Sequence, residues 1–191
     1  MTEVEIGRSK RAINGYAFDD IAIVPTRRTR DPGDVSTSWS IDAFQFDMPV
    51  IAAPTDSAMS PATVIALGKL GGLGVLDLEG LWTRYEDPTQ QLAEIANAKD
   101  EDATAVLQRV YSQPIQAELI KARLEEIRAA GVRVAGALSP QRTAEFSEIV
   151  LKSGVDMFVI RGNTVSAEHV SQSAEPLNLK EFIYQLDVPV I

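Results

Sequence analysis

The 191-residue chain contains no cysteine. Disulfides, thiolate metal sites and cysteine nucleophiles are therefore excluded within these residues. It has no apolar run near the roughly 18 residues that mark a membrane-spanning helix. Its opening, MTEVEIGRSKRA, lacks the apolar core of a secretory signal. The expectation is a cytoplasmic protein with no membrane partner. Positive charge is in the minority, with 18 Lys and Arg against 27 Asp and Glu and a formal net charge of −9. That average field repels a phosphate backbone, so nucleic acid is not expected as a partner. The one basic cluster, Arg27-Arg28-Thr29-Arg30, runs into Asp31 and Asp34 and reads as a solvated turn, with a phosphate or subunit contact as the alternative. No P-loop, HExxH, EF-hand loop or nucleophile elbow is present, and no metal site is expected.

What is present is a repeated design. Residues 49–76 read PVIAAPTDSAMSPATVIALGKLGGLGVL. The continuous apolar run 49–53 has the pattern of a strand buried on both faces of a parallel sheet. Ser60 stands at an N-cap with Pro61 at the first helical position, Val64, Ile65, Leu67 and Gly68 form the inward stripe, and Gly71 ends the helix. Apolar strand resumes at 73–77. The pattern recurs with a helix near 88–98, a helix over 114–130 with Ile115, Leu119, Leu124 and Ile127 on one side, and a strand at 132–137. A helix then opens at Ser139-Pro140 with Phe146, Ile149 and Val150 inward, followed by a strand at 155–160, a helix over 175–186 and the start of a fifth strand at 188–191. Such βα repeats predict an α/β fold with a parallel sheet, either doubly wound or a (β/α)8 barrel. Gly68, Gly71, Gly72 and Gly74 do not form a dinucleotide fingerprint, because they end a helix and enter a strand rather than the reverse. Residues 1–48 precede the pattern and read as an N-terminal extension packed on the main domain, with a hairpin or cap strand over 35–46. The Asp19-Asp20 pair is read as a turn or cap.

Ligands bind at the carboxyl ends of parallel strands. Thr55, Asp56 and Ser57 follow the first strand, Asp77 and Glu79 the second, Ser139 the third, and Arg161, Gly162, Asn163 and Thr164 the fourth. A carboxylate at such a rim can orient a hydroxyl or amide, and Arg161 can hold an anion. Helix capping is the alternative duty for Asp56 and Ser139. His169 is either an exposed histidine or a general base. A whole barrel needs roughly 250 residues, so residues 49–191 are expected to be the first half of one.

Three blocks carry a family resemblance. YAFDDIAIVP at 16–25, PVIAAPTDS at 49–57 and GGLGVL at 71–76 resemble, in order and spacing, the opening of the IMP dehydrogenase/GMP reductase family. The run 155–160 is similar to that family's fourth strand. Segments 114–137 and 161–170 look most like a bacterial IMP-dehydrogenase-related subfamily without CBS domains, and the likeness covers essentially the whole chain. The resemblance implies a TIM barrel, here its N-terminal half. It also implies a homotetramer at full length, a purine nucleotide (IMP or GMP) as substrate and NAD or NADP as cofactor. In that chemistry a cysteine attacks the purine C2 and hydride passes to or from the nicotinamide. Ala53, Thr55 and Asp56 would then bind the nucleotide, and Arg161, Gly162 and Asn163 the cofactor.

The chain departs from the family pattern at four positions. Ala53 and Thr55 stand where serine and methionine are common, Asp77 replaces a histidine, and Arg161 replaces an acidic residue that contacts the nicotinamide ribose. A guanidinium there favours an additional phosphate, hence NADPH. The cysteine loop and phosphate loops are expected beyond Ile191, so no catalytic residue is expected within these residues and the fragment alone should be inactive. A non-catalytic nucleotide-binding or regulatory paralogue is the alternative.

Overall fold

A computed structural model of the chain describes residues 3–6, 8, 10–25, 27–162 and 177–191. The chain divides into two compact units, Met1–Ser36 and Thr37–Ile191. The first contains an antiparallel hairpin, β1 (Glu3–Ile6) with β2 (Lys10–Ile13). Two single turns of 3-10 helix follow, at Phe18–Asp20 and Pro32–Asp34. In the first of these turns the Asp20 carboxylate accepts from the Ala17 N–H at 2.9 Å, so this acid is a cap, as expected.

The second unit is built on parallel strands that follow one another in chain order. The central three are β5 (Val75–Asp77), β6 (Ala135–Leu138) and β7 (Met157–Ile160). Asp77 pairs with Ala137, and Ala137 with Val159. Ile51 bridges to Leu73 on one side, and Val190 to Phe158 on the other, both in parallel. The expected first strand is therefore an edge, hydrogen-bonded through the Val50 carbonyl and Ala52 N–H to Leu73. It is not buried on both faces: Val50 is 43% and Ile51 46% exposed. Its apolar composition reads the same whether one or both faces are covered.

Side-chain alternation sorts the sheet into two layers. Leu76, Leu78, Leu138 and Phe158 face the helices α1 (Pro61–Lys69), α4 (Ala117–Ala129) and α5 (Pro140–Lys152) through Val64, Ile120, Leu124, Ile127, Phe146 and Val150. On α4 the buried position is Ile120, with Leu119 only half-buried, a shift of one residue from the expected stripe. The opposite face carries Leu73, Val75, Ala135, Ala137 and Met157. It is covered by the hairpin β3 (Trp39–Ile41)–β4 (Phe44–Phe46), with Trp39 and Phe46 stacked at 4.6 Å. This hairpin belongs to the second unit and not to the extension, because its aromatic residues fill the inner layer.

Capping chemistry sets the helix ends. Ser60 Oγ accepts from Thr63 N–H at 3.1 Å while Thr63 Oγ1 accepts from Ser60 N–H at 2.6 Å, a reciprocal capping box. Gly71, Gly131 and Gly154, each just past a helix, take φ of +88°, +76° and +77°. Between β5 and α4 two helices stand where one was expected, α2 (Thr89–Ala96) and α3 (Asp100–Val110). The last helix, α6 (Leu179–Tyr184), covers part of the expected 175–186 span, of which 175 and 176 lie outside the described residues.

Gly74 marks a close contact between helix and strand. A Cβ there would lie 2.7 Å from Val64 Cα and 3.0 Å from its carbonyl oxygen, backbone atoms that cannot rotate away. Gly74→Ala is expected to lower stability by about 1–3 kcal/mol through overpacking, whereas Gly33→Ala, with open space around it, should stay within about 0.5 kcal/mol. Urea unfolding of the two variants checks the contrast.

Candidate functional site

The inward rows of the sheet change character along their length. Leu73 and Val75 lead to Asp77, and Met157 and Val159 lead to Arg161. Because the strands are parallel, the polar ends arrive at one edge. There Arg161 Nη2 lies 3.0 Å from Asp77 Oδ2, reaching across β6 past the small Ala137. The Arg161 backbone N–H extends the ladder to the Leu138 carbonyl at 2.9 Å. Asp77 is further held by the Glu79 N–H on Oδ1 at 2.9 Å. Glu79 Oε1 in turn accepts from the Ser139 N–H at the start of α5. Ser139 is the N-cap residue there, but its hydroxyl makes no capping bond. The expected cap of this helix is instead a glutamate from the neighbouring loop.

Asp56 is anchored separately. Its Oδ2 accepts two hydrogen bonds of 2.7 Å, from the Leu81 N–H and from the Tyr111 hydroxyl. Its Oδ1 is buried without a hydrogen-bond partner, beneath Gly80, where a Cβ would come within 2.3 Å of it. Only a glycine lets the backbone approach the carboxylate so closely. The segment carrying Asp56 is wound into a turn: Ala58 and Met59 N–H both donate to the Thr55 carbonyl, at 3.0 and 2.8 Å. Thr55 Oγ1 and Ser57 Oγ lie 3.2 Å apart, and Ala53 is exposed.

The electrostatics are dominated by burial. Asp77 is pushed up to about 6, first by desolvation and then by the neighbouring Asp56 and Glu79 charges. The Glu79 N–H and the Arg161 guanidinium oppose this but do not overcome it. Burial raises the Tyr111 hydroxyl well above its ordinary value, and the Asp56 carboxylate adds to the shift. In the contact with Asp56 the Tyr111 hydroxyl is the donor. Near it Arg84 sits 5.8 Å from the Tyr111 ring centroid, fixed by hydrogen bonds to the Glu79 and Gln113 carbonyls.

The rim thus gathers Asp56, Asp77, Glu79, Ser139 and Arg161 as the strand-end pattern predicts. Gly162 follows Arg161 and is exposed. Asn163, Thr164 and His169 lie outside the described residues. Sequence reasoning missed Tyr111, whose signal was the unread helix before it: Asp100, Glu101 and Asp102 in a first turn and Arg109 in the last match the helix dipole. Among the described residues no group of three or more His, Cys, Asp or Glu could hold a metal, and no helix is long and apolar enough to cross a membrane.

Comparison with known proteins matches this arrangement to a described family. A family model for the IMP dehydrogenase / GMP reductase domain covers residues 15–188. The chain belongs to that family. An uncharacterized oxidoreductase of Mycobacterium leprae is 47% identical over 193 aligned residues, which take in 98% of this chain and 52% of that protein. The crystal structure of an IMP dehydrogenase/GMP reductase-like protein from Corynebacterium glutamicum superposes with a TM-score of 0.86 at 45% identity, covering 98% of this chain and 50% of that one. An inosine-5'-monophosphate dehydrogenase of Methanocaldococcus jannaschii is 34% identical over 65 residues, 34% of this chain and 13% of that protein. The chain spans about half the length of the first two relatives. Asp77 and Arg161, both read from the sequence as departures from the resemblance, touch one another.

Asp77 gives a pH test with a definite sign. Its folded value, about 6, lies above the model-peptide value of 3.8. Its contribution to stability is therefore fully present below about pH 3.8 and lost as pH rises through about 6. Asp77→Asn removes that loss. The variant should match the native protein near pH 4 and exceed it by about 2–3 kcal/mol near pH 7, as read from urea midpoints at the two pH values. An equal difference at both would show that the carboxyl does not titrate there.

Proposed function

We propose that the complete protein is a cytoplasmic, nicotinamide-dependent oxidoreductase of a purine nucleotide, IMP or GMP. In this reading it is built on a (β/α)8 barrel that assembles as a homotetramer, and residues 49–191 supply the barrel's first half without CBS domains. The observation that carries the reading is the convergence on one sheet edge of the Asp56-anchored loop and the Asp77–Arg161 pair. Ala53, Thr55 and Asp56 form the side of the site that faces the nucleotide, and Arg161 with Gly162 and Asn163 the side that faces the nicotinamide half of NAD or NADP. The cofactor would accept or supply hydride. This chain's residues bind and orient, since its sequence carries no cysteine to act as the family's nucleophile.

The pairing of Arg161 bears on which cofactor fits. Its charge is offset by Asp77 at 3.0 Å, and half of its side chain is exposed. A neutralised pair offers little net attraction to an extra phosphate. It does offer an acceptor and a donor side by side, which suits the vicinal hydroxyls of a ribose. The charge argument for NADPH therefore loses its main support, and the pair is assigned to the ribose of either cofactor.

Arg161→Gln in the complete protein tests this. The KM for the nicotinamide cofactor should rise about tenfold, the loss of one charge-assisted hydrogen bond, with the NADPH-to-NADH preference unchanged. A change confined to NADPH would reassign Arg161 to the phosphate. Assays of IMP with NAD and of GMP with NADPH set the direction of hydride transfer. A second reading, a nucleotide-binding protein without turnover, is favoured by the altered residues at 53, 55, 77 and 161. Tight binding of IMP or GMP with no turnover in either pairing would select it.

A further inference from the structure

Tyr111 is 55 residues from Asp56 in sequence, yet among the described residues its hydroxyl is one of two hydrogen-bond donors to that carboxylate. The other donor, the Leu81 N–H, is backbone and comes from the loop after β5, so Tyr111 is the side chain on which the Asp56 anchor depends. Its own position is over-determined. Arg84 lies against the ring and is itself tied to Glu79 and Gln113 through backbone carbonyls. The adjacent Tyr85 hydroxyl donates to the Val110 carbonyl at 2.8 Å, which fixes the end of α3. A cleft of about 360 Å³ lined by Arg84, Tyr111, Gln113 and Arg142 lies beside the ring. Asp56 follows Thr55 directly, and the Thr55 carbonyl is the acceptor for the whole turn 55–59.

We propose that Tyr111 is a positioning residue that, through its hydrogen bond to Asp56, holds the loop 53–59 in its ligand-binding shape. The inference rests on the reading of this loop as the nucleotide-facing segment. It adds that the helical excursion through α2 and α3, which supplies no rim side chain of its own, controls the affinity of the site. Tyr111 touches no ligand in this account. Its removal should weaken binding and leave the chemical step alone.

The test uses Tyr111→Phe, Asp56→Asn and the double variant in the complete protein, with hydrogen exchange at the Ala58 and Met59 amides and steady-state kinetics with IMP and GMP. Phenylalanine keeps the ring and removes only the donor. Exchange at these amides should quicken about tenfold in Tyr111→Phe, the equivalent of one hydrogen bond to a charged group. The nucleotide KM should rise by a similar factor with kcat within about twofold, the signature of lost ground-state binding. In the Asp56→Asn background the tyrosine substitution should add little, because the bond is already weakened. Unchanged exchange in Tyr111→Phe overturns the proposal. So does faster exchange with an unchanged KM, since the loop would then be loosened without consequence for binding. If the native protein neither turns over nor binds IMP or GMP, the purine reading falls. Exchange at Ala58 and Met59, read without substrate, still decides whether Tyr111 holds the loop.

Discussion

Parallel pairing in chain order constrains this molecule more than any single contact. When Val75, Ala135 and Met157 begin their strands side by side, the residues that follow two and four positions later must travel together toward the same edge. The hydrogen-bond ladder leaves them no other course. Everything chemical in the chain depends on that geometry. Asp77 and Arg161 are separated by a whole strand and 84 residues, and they meet because the strands that carry them cannot diverge. The helices follow from the same constraint, since each must return the chain to the opposite edge before the next strand can start.

The rim is acidic and partly dry, and its parts are interdependent for that reason. Burial of Asp77 near Asp56 and Glu79 would be unfavourable if all three stood unpaired. Each is instead given donors from a different element: Arg161 and the Glu79 N–H for Asp77, Tyr111 and the Leu81 N–H for Asp56, the Ser139 N–H for Glu79. Asp77 and Arg161 work as a contacting pair: the carboxylate and the guanidinium opposite it offset one another's charge across β6.

Much of this was legible in the sequence because it is local. Ser60 and Pro61 announce a helix start, Gly71, Gly131 and Gly154 announce three helix ends, and apolar alternation separates the layers. The rim residues could be named because strand ends are recognisable. Their partners could not. Tyr111 follows a helix whose composition is too polar to show a clear apolar stripe, and its bond to Asp56 spans 55 residues. Nothing local distinguishes that tyrosine from an exposed one. Likewise 49–53 reads as a buried strand, but burial depends on what lies beside it, and the run of apolar side chains is the same at an edge. The Leu119-to-Ile120 shift has a similar origin, since two adjacent apolar residues leave the phase of a helix undecided until its neighbour is known.

The aromatic hairpin under the sheet has one more consequence. Trp39, Phe44 and Phe46 occupy the end of the inner layer where the strands begin, among Leu73, Val75 and Met157. The two ends of one sheet thus carry separate burdens, apolar packing at one and exposed polar loops at the other. Substitutions at the polar end can redirect what the molecule recognises while the aromatic end keeps the strands in register. The side chains at Asp77 and Arg161 can therefore change while the foundation beneath them does not.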